Sequence, residues 1–266
     1  SFFPKSKKLT GLNGLILGCN YGKNTSQVAL AQSDVFKELT VVDIAEDLLD
    51  RQHEVIHELD LDRVVNFACL DLNKESLPNE KNYDLIHAWG TIHHIKRLEG
   101  LFSDINDALC DDGIFCMREY VGPSYLQFAD DIAHIVDSLL AVLPDDLKRD
   151  EHGNIKNRAW RPTVEEIVAD DPSEAVRSDE ILPIVEKYLD VLACRMTGGT
   201  ILNPLLHAIS GNFERDEAAR SILKILIVLE RTLIESGVIP SDYVYLIAKK
   251  KAPRKPHVDA FSDSAT

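Results

Sequence analysis

The sequence has no long apolar run and an excess of acidic residues, and each feature excludes a class of function. No apolar segment approaches the roughly 18–20 residues that a membrane-spanning helix requires. The chain has 44 acidic and 29 basic residues, which gives a formal net charge of −15. Phosphate backbones repel such a surface, so nucleic acid is disfavoured as a partner.

Cysteine is scarce, and its spacing matches no known type of site. The five cysteines are an odd number, and no two of them form a Cys-x-x-Cys pair. Most of them lie in apolar segments, as small buried side chains do in a reducing compartment. No group of residues has the spacing of metal ligands. The sequence therefore predicts a cytoplasmic protein without a catalytic thiol or a metal site.

In the first half of the chain, strands alternate with helix-length segments. Apolar and β-branched runs predict strands at 14–17, 39–44, 64–70, 83–88 and 114–119. N-cap signals or helical periodicity predict helices at 25–31, 45–59 and 98–109. Strands that are separated by helices imply a parallel sheet with right-handed crossovers.

The second half is dominated by helical patterns. Apolar spacing predicts helices over 124–143, 178–188, 202–209 and 216–236, and strands over 191–196 and 243–248. The segment Thr163-Val164-Glu165-Glu166 fits a capping box that begins another helix. The helix over 216–236 is so apolar that we expect it to be well buried. Residues 145–160 are polar and predict a loop.

Small or acidic residues follow three neighbouring strands. The turn Gly18-Cys19-Asn20-Tyr21-Gly22 links the first strand to a helix, so its N–H groups point at a ligand beyond the sheet edge. Asp43 ends the second strand 25 residues after Gly18 and can accept hydrogen bonds from both ribose hydroxyls. Asp71 follows the third strand, where a carboxylate can reach an adenine amino group. Together these groups surround one crevice.

Five segments resemble motifs of the class I S-adenosylmethionine (SAM)-dependent methyltransferases, in order and at family-like spacing. Residues 15–22 are similar to the first motif, 41–44 to the ribose-binding strand end, and 69–72 to the segment that frames the adenine. Residues 83–95 resemble the fourth strand with its loop, and 112–115 the turn into strand five. The resemblance implies SAM as cofactor and an α/β Rossmann-like fold. That fold has a seven-stranded, mostly parallel sheet, helices on both faces and, here, a helical lid insertion.

The resemblance also implies a set of cofactor-binding residues. They are Gly18, Cys19, Asn20, Gly22, Asp43, Ile44, Asp71, Leu72, Trp89 and Gly90. Two positions depart from the family's pattern. Ile16 replaces an acidic partner of the cofactor's positive end, and Asn20 replaces a glycine. Asn tolerates a positive φ better than most residues, so the turn can survive, but the carboxylate has to come from elsewhere in space.

Methyl transfer requires the nucleophile, the methyl carbon and the sulfur to lie in line, and often the removal of one proton. Candidates for the base are His93 and His94 after strand four and Glu119 at the end of strand five. The alternatives are that a histidine packs or caps the loop, and that Glu119 pairs with Arg118 or caps a helix.

Further side chains could contact the methyl acceptor under the lid. They are Tyr120, Tyr125, Glu174, Arg177, Asn203 and His207. For Glu174 and Arg177 the alternative is a solvated helix face. For His207 the alternative is a satisfied core position.

We therefore predict an enzyme that uses SAM to methylate an oxygen or nitrogen atom of a small polar or carbohydrate-like substrate. One alternative, favoured by Ile16 and Asn20, is a catalytically degenerate methyltransferase-like binding or scaffolding domain. A second is a nicotinamide-dependent oxidoreductase, although the glycines do not match Gly-x-Gly-x-x-Gly. No feature of the sequence indicates an oligomeric state.

The predicted organisation has four parts. Residues 1–123 form the SAM-binding half, 124–180 the lid, 181–251 the rest of the sheet with buried helices, and 252–266 a disordered tail. The chain begins with Ser1 instead of Met, so we expect either a product prepared for expression or a piece of a longer polypeptide.

Overall fold

A seven-stranded sheet forms the centre of the computed structural model, which describes residues 10–78 and 82–252. The strands are β1 Leu12–Leu17, β2 Phe36–Asp43, β3 Val65–Cys69, β4 Tyr83–Trp89, β5 Leu109–Tyr120, β6 Leu189–Gly198 and β7 Tyr243–Lys250. Their order is β3-β2-β1-β4-β5-β7-β6, and β7 runs antiparallel to both of its neighbours. This arrangement confirms the predicted mostly parallel α/β sheet.

Eight α-helices accompany the sheet in the described part of the chain. They are α1 Ser26–Ala31, α2 Glu46–Glu58, α3 Leu98–Ala108, α4 Asp130–Val142, α5 Val164–Asp170, α6 Ile181–Tyr188, α7 Leu202–Leu206 and α8 Glu217–Glu235. No helix among these residues is both long and apolar enough to cross a bilayer.

Alternate side chains of the buried strands face two different helical layers. In β1, Ile16 packs with residues of α1 and α2 on one face of the sheet. Leu15 and Leu17 pack on the opposite face with residues of α3 and α6. Because both faces are covered here, β1 consists almost entirely of apolar residues, as expected of a central parallel strand. This packing fixes the strand ends that carry the candidate site.

Side-chain caps begin several helices where the sequence predicted them. The Thr25 hydroxyl accepts a hydrogen bond from the Val28 N–H at the start of α1. Thr163 and Glu166 form the predicted capping box at the start of α5. Such a cap stabilises a helix by about 1 kcal/mol because it satisfies a free N–H group of the first turn.

A second apolar cluster lies apart from the sheet. It joins α4 with α7 and α8, which follow residue 180, through buried residues that include Val136, Leu205, Phe213 and Leu226. Helices that precede and follow the segment between α4 and α6 in the sequence therefore pack together, and Leu147 and Ala159 of that segment pack against them. A smaller cluster around Phe128 and Ile167 connects α5 to the end of β5.

Two predictions about the helices were wrong. The helix predicted over 124–143 is broken, because Tyr125 and Leu126 have positive φ angles and α4 begins only at Asp130. The apolar helix α8 is not well buried, since Ile225 is 67% and Val228 is 50% exposed. Only one face of α8 packs on α7 and β6, so apolar composition overestimated its burial. The predicted tail lies outside the described residues from 253 onwards.

Candidate active site

The turn after β1 can be built only with glycine at its first position. Gly18 has φ +86°, and a Cβ atom there would lie 1.8 Å from the Thr91 Oγ1 atom. Such a distance is far below van der Waals contact, so the loop after β4 leaves room for backbone alone. The close approach keeps the turn open for a ligand at the sheet edge.

Asp43 joins the turn to the end of β2. Its Oδ2 atom accepts the Cys19 N–H at 2.7 Å, and its Oδ1 atom accepts the Ala45 N–H at 2.8 Å. Each carboxylate oxygen can accept a second hydrogen bond, so the group can still bind a ribose hydroxyl. Burial and the neighbouring charge of Asp43 raise the pKa of Cys19 to about 12. Cys19 therefore remains a neutral thiol at physiological pH.

Two buried glutamines, which the sequence analysis missed, support the same turn. Gln52 of α2 accepts the Gly22 N–H at 2.8 Å and donates to the Gly22 carbonyl at 3.3 Å. Gln27 of α1 donates to the Asn20 carbonyl. The spacing of Gln52 from Leu49 was a usable signal, because residues three apart share one face of a helix.

Asp71 lies at the end of the crevice where the adenine was expected. Its Oδ1 atom accepts the Asn73 N–H at 2.9 Å, and its Oδ2 atom lies 2.8 Å from the Lys74 ammonium. The hydrogen bond from Lys74 is the main reason why the pKa of Asp71 is lowered. The carboxylate is therefore ionised and held at the rim by its own loop.

The strand ends enclose a cleft of about 570 Å³, within the range of about 300–1,000 Å³ that is usual for small-molecule sites. Nine of the ten predicted cofactor residues line it: Gly18, Cys19, Asn20, Asp43, Ile44, Asp71, Leu72, Trp89 and Gly90. Gly22 is not among the lining residues, and its N–H and carbonyl groups bind Gln52 instead. Asp171 and Ser173 also line the cleft, together with His94. They belong to the segment over 124–180 that was predicted to form a lid, and we keep that name for the segment.

Glu119 lies behind the cleft and organises the loop after β4. It is 1% exposed, and its Oε1 atom accepts the N–H groups of Thr91 and Ile92 at 2.9 and 3.0 Å. Its Oε2 atom lies 2.8 Å from Nδ1 of His93. Glu119 therefore does not pair with Arg118, which lies over the Trp89 ring at 5.0 Å.

His94 is held from the lid side. Its Nδ1 atom lies 3.0 Å from the Ser173 hydroxyl, and that hydroxyl donates to Asp171 at 2.6 Å. The Nε2 atoms of His93 and His94 each lie 3.9 Å from one oxygen of Glu174. The strand-four loop and the lid thus bring two imidazoles and several carboxylates together beside the cleft.

The two imidazoles differ in their affinity for a proton. Burial alone would lower the pKa of His93, but the hydrogen bond and charge of Glu119 outweigh burial and raise it. Burial and the adjacent His93 lower the pKa of His94. His93 is therefore the more basic of the two imidazoles, and His94 binds a proton less readily.

Comparison with known proteins shows what this chain resembles. Residues 15–115 match the sequence profile of the methyltransferase domain. This segment of the chain is therefore similar to a methyltransferase domain. SAM is the cofactor that this domain implies, and the cradle around Gly18 and Asp43 fits it. No curated protein sequence matches the chain significantly.

Solved structures show how widely this fold is used. A SAM-dependent methyltransferase from Mesorhizobium loti is 15% identical, with a TM-score of 0.53 over 93% of this chain and 94% of that chain. Phosphoethanolamine N-methyltransferase 2 from Haemonchus contortus, solved with SAM, is 19% identical, with a TM-score of 0.54 over 93% of this chain and 50% of that chain. The [4+2]-cyclase SpnF is 12% identical, with a TM-score of 0.51 over 92% of this chain and 77% of that chain. At these identities the likeness shows the fold alone.

The fold does not gather all six predicted acceptor residues into one site. Glu174 faces the two histidines, as described above. Tyr120 is buried and donates to the Pro123 carbonyl at 3.1 Å. Arg177 binds the carboxylates of Glu99 and Glu180 at 2.8 and 2.7 Å, which occupies its guanidinium group.

The other three acceptor candidates lie elsewhere. Asn203 lines a second cleft of about 400 Å³ beside Arg118. His207 stacks on Trp160 with a centroid distance of 4.0 Å. Tyr125 packs against the small cluster at the end of β5.

The sequence analysis missed Asp171 and Ser173, which do line the cofactor cleft. They lie about 80 residues beyond His94, so no local spacing could have revealed them. The spacing also predicted no metal site, whereas the fold brings ligand atoms of His93, His94 and Glu174 to within 4.8 Å of one another.

Proposed function

We propose that the protein transfers the methyl group of SAM to an oxygen or nitrogen atom of a small polar or carbohydrate-like molecule. One observation carries the proposal: the cleft at the strand ends is also lined by His94, Asp171 and Ser173. Groups that can bind a polar acceptor and accept its proton thus share a cavity with the groups that fit the cofactor. Hydrogen bonds from the loop after β4 to the buried Glu119 hold that loop, and the contact between His94 and Ser173 links it to the lid.

Residues of the cleft have distinct roles in holding the cofactor. The N–H groups of the turn and the Asp43 carboxylate would bind its polar parts, and the exposed side chain of Ile44 would pack on its adenine ring. When bound, SAM supplies an electrophilic methyl group on a positively charged sulfur. Ile16 is buried and contributes no charge, but Asp43, Asp71 and Asp171 all line the cleft. Their combined charge favours a cationic ligand.

The loop after β4 would control the acceptor's proton. A carboxylate can only accept hydrogen bonds, so Glu119 fixes the proton of His93 on Nδ1 and leaves the Nε2 lone pair free. That lone pair lies 3.9 Å from Glu174, and the ring centroid lies 4.2 Å from that of His94, which lines the cleft. There it would take a proton from an acceptor hydroxyl or amine. In this role His93 is the base, His94 lies beside the acceptor, and Glu119 is a positioning residue.

Calorimetry with S-adenosylhomocysteine, the demethylated product, tests the cofactor assignment. We expect binding to the wild type and a loss of affinity in Asp43→Asn, because an amide presents one acceptor oxygen in place of two. The exposed Asp47 of α2 provides the control Asp47→Asn, which should bind as the wild type does. The absence of binding at millimolar ligand would overturn the proposal.

Turnover then tests the acceptor class. The protein is incubated with SAM and a panel of sugars, polyols, hydroxy acids and small amines, and S-adenosylhomocysteine formation is measured. We expect product only with acceptors that carry a free hydroxyl or amine. Turnover with apolar acceptors alone would contradict a polar acceptor site.

A further inference from the structure

His93, His94 and Glu174 converge on one point beside the cofactor cleft. One ligand atom from each lies within 4.8 Å of the others. We propose that these three residues bind a divalent transition-metal ion. Binding of such an ion requires a free lone pair on each imidazole, and the positions of the ring protons decide whether it is present.

His93 must present an unprotonated Nε2 atom to this point when it is neutral. Its Nδ1 atom lies 2.8 Å from the Glu119 carboxylate, which has no proton to donate. Glu119 is itself fixed by the Thr91 and Ile92 N–H groups. Metal-binding histidines in proteins characteristically donate their second N–H group to such a carboxylate.

His94 presents the same atom for a different reason. The Ser173 hydroxyl has one proton, and at 2.6 Å it donates that proton to Asp171. The hydroxyl oxygen can then only accept at 3.0 Å from Nδ1 of His94. The proton of neutral His94 therefore lies on Nδ1, and the Nε2 lone pair faces Glu174.

Three electron-pair donors thus face one another. Each Nε2 atom lies 3.9 Å from a different oxygen of Glu174, which is too long for a hydrogen bond. Among the described residues none donates a hydrogen bond to the Glu174 carboxylate. A single proton on His93 would not bridge these distances. A cation between the three groups would, because ligands that each bind at about 2.0–2.2 Å can lie more than 3 Å apart.

The surrounding charge favours a divalent ion. Glu119, Glu174 and Asp171 all lie within hydrogen-bonding or ion-pair distance of the two imidazoles. The side chain of Glu119 is fully buried, and that of His93 is nearly so. Two nitrogen donors and one carboxylate suit Zn²⁺, Fe²⁺, Co²⁺ or Mn²⁺ better than Mg²⁺ or Ca²⁺.

The ion would stand at the wall of the cleft, because His94 is one of the lining residues. Three protein ligands leave positions open on that side for oxygen atoms of the methyl acceptor. An acceptor hydroxyl that binds there loses its proton more easily. In the metal-bound form this effect replaces the role of His93 as base, because the Nε2 lone pair of His93 then binds the ion. This consequence depends on the proposed methyl transfer, whereas binding of the ion does not.

A surface cluster of similar composition provides an internal control. His53 and His57 of α2 lie 3.6 and 3.2 Å from the oxygens of Asp62. All three side chains are exposed, and neither histidine has a buried carboxylate behind it. This cluster tests whether any pair of histidines beside a carboxylate suffices.

The experiment is calorimetric titration of the metal-free full chain with ZnCl₂, CoCl₂ and MnCl₂. We expect one tight site per chain, with Co²⁺ giving the visible absorption of a protein-bound ion. His94→Ala and Glu174→Ala should each remove that site, while the double variant His53→Ala/His57→Ala should retain it. The absence of a site in the wild type, or its loss in the surface variant alone, would overturn the proposal.

Glu119→Gln tests whether Glu119 keeps the ring proton of neutral His93 on Nδ1. The amide can donate to Nδ1 of His93, which moves the proton to Nε2 and removes a ligand lone pair. We expect metal affinity to fall by about 10–100-fold, as for other changes behind a metal ligand. Unchanged affinity in a folded variant would contradict the model of the site. S-adenosylhomocysteine binding, measured in parallel, reports separately on the proposed function.

Discussion

The cofactor cleft has two walls of different origin. One wall consists of the strand ends and turns between β1 and β4, where backbone N–H groups and Asp43 are placed by the sheet itself. The opposite wall comes from the lid, which delivers Asp171 and Ser173 to His94 across about 80 residues of sequence. The first wall tolerates almost no change of shape. The second depends on side-chain chemistry, so substitutions in the two walls should have different effects.

The largest effect is expected at the first wall. Gly18→Ala places a Cβ atom 1.8 Å from Thr91 Oγ1, so the turn or the loop after β4 must move. Cofactor binding, measured by calorimetry with S-adenosylhomocysteine, should become undetectable. Gly153 is a matched control, because it also has a positive φ, +85°, but nothing lies within 4 Å of its would-be Cβ atom. Gly153→Ala should cost about 1–2 kcal/mol of stability and leave binding intact.

The next largest effect should arise in the loop after β4, next to the second wall. His93→Ala removes the proposed base without touching the turn, so turnover should fall by about 10²–10⁴-fold while S-adenosylhomocysteine affinity persists. The exposed His152, which pairs with the exposed Glu151, supplies the control variant His152→Ala. Equal turnover in the wild type and His93→Ala would remove His93 from the mechanism. If His93→Ala instead loses affinity for S-adenosylhomocysteine, then His93 also contributes to cofactor binding at the first wall.

The sequence predicted the first wall well because its geometry is local. Gly18 and Asp43 belong to short motifs whose backbone positions follow from a strand, a turn and a helix. The lid wall was predicted poorly, since Glu174 was recognised only as a possible substrate contact and Ser173 not at all. Arg177 looked equally available in sequence, but it is occupied by Glu99 and Glu180. Which polar side chains remain free is decided by tertiary packing.

A smaller effect should follow from removing a support of the first wall. Gln52→Ala leaves the Gly22 N–H without its partner and opens a space in the layer between α2 and the turn. We expect the free energy of unfolding to fall by about 2–4 kcal/mol, from lost hydrogen bonds and the cavity together. Urea denaturation measures it. Gln32→Ala, at the exposed end of α1, should change it by less than about 0.5 kcal/mol. A similar loss in both variants would mean that burial of the amide is irrelevant.

The smallest effect concerns the point where the two walls are joined. Asp242 is 1% exposed and lies under Gly122, where the chain leaves β5 for the lid. Its Oδ2 atom has no hydrogen-bond partner among the residues that the structure describes. Burial raises the pKa of Asp242 from 3.8 to about 6, although the Thr200 hydroxyl partly opposes this. The folded protein therefore holds a proton that the unfolded chain releases, so stability from this group is lost as pH rises from about 4 through 6.

The loss cannot exceed about 3 kcal/mol, since each unit of pKa shift corresponds to about 1.4 kcal/mol. Asp242→Asn keeps the shape but cannot ionise. Its free energy of unfolding should lack the part of the decline between pH 4 and 7 that the wild type shows. If the free energy of unfolding depends on pH in the same way in both proteins, Asp242 is not the group whose ionisation causes the decline. If the profiles differ, S-adenosylhomocysteine affinity will show whether ionisation at the joint loosens the lid or only destabilises the fold.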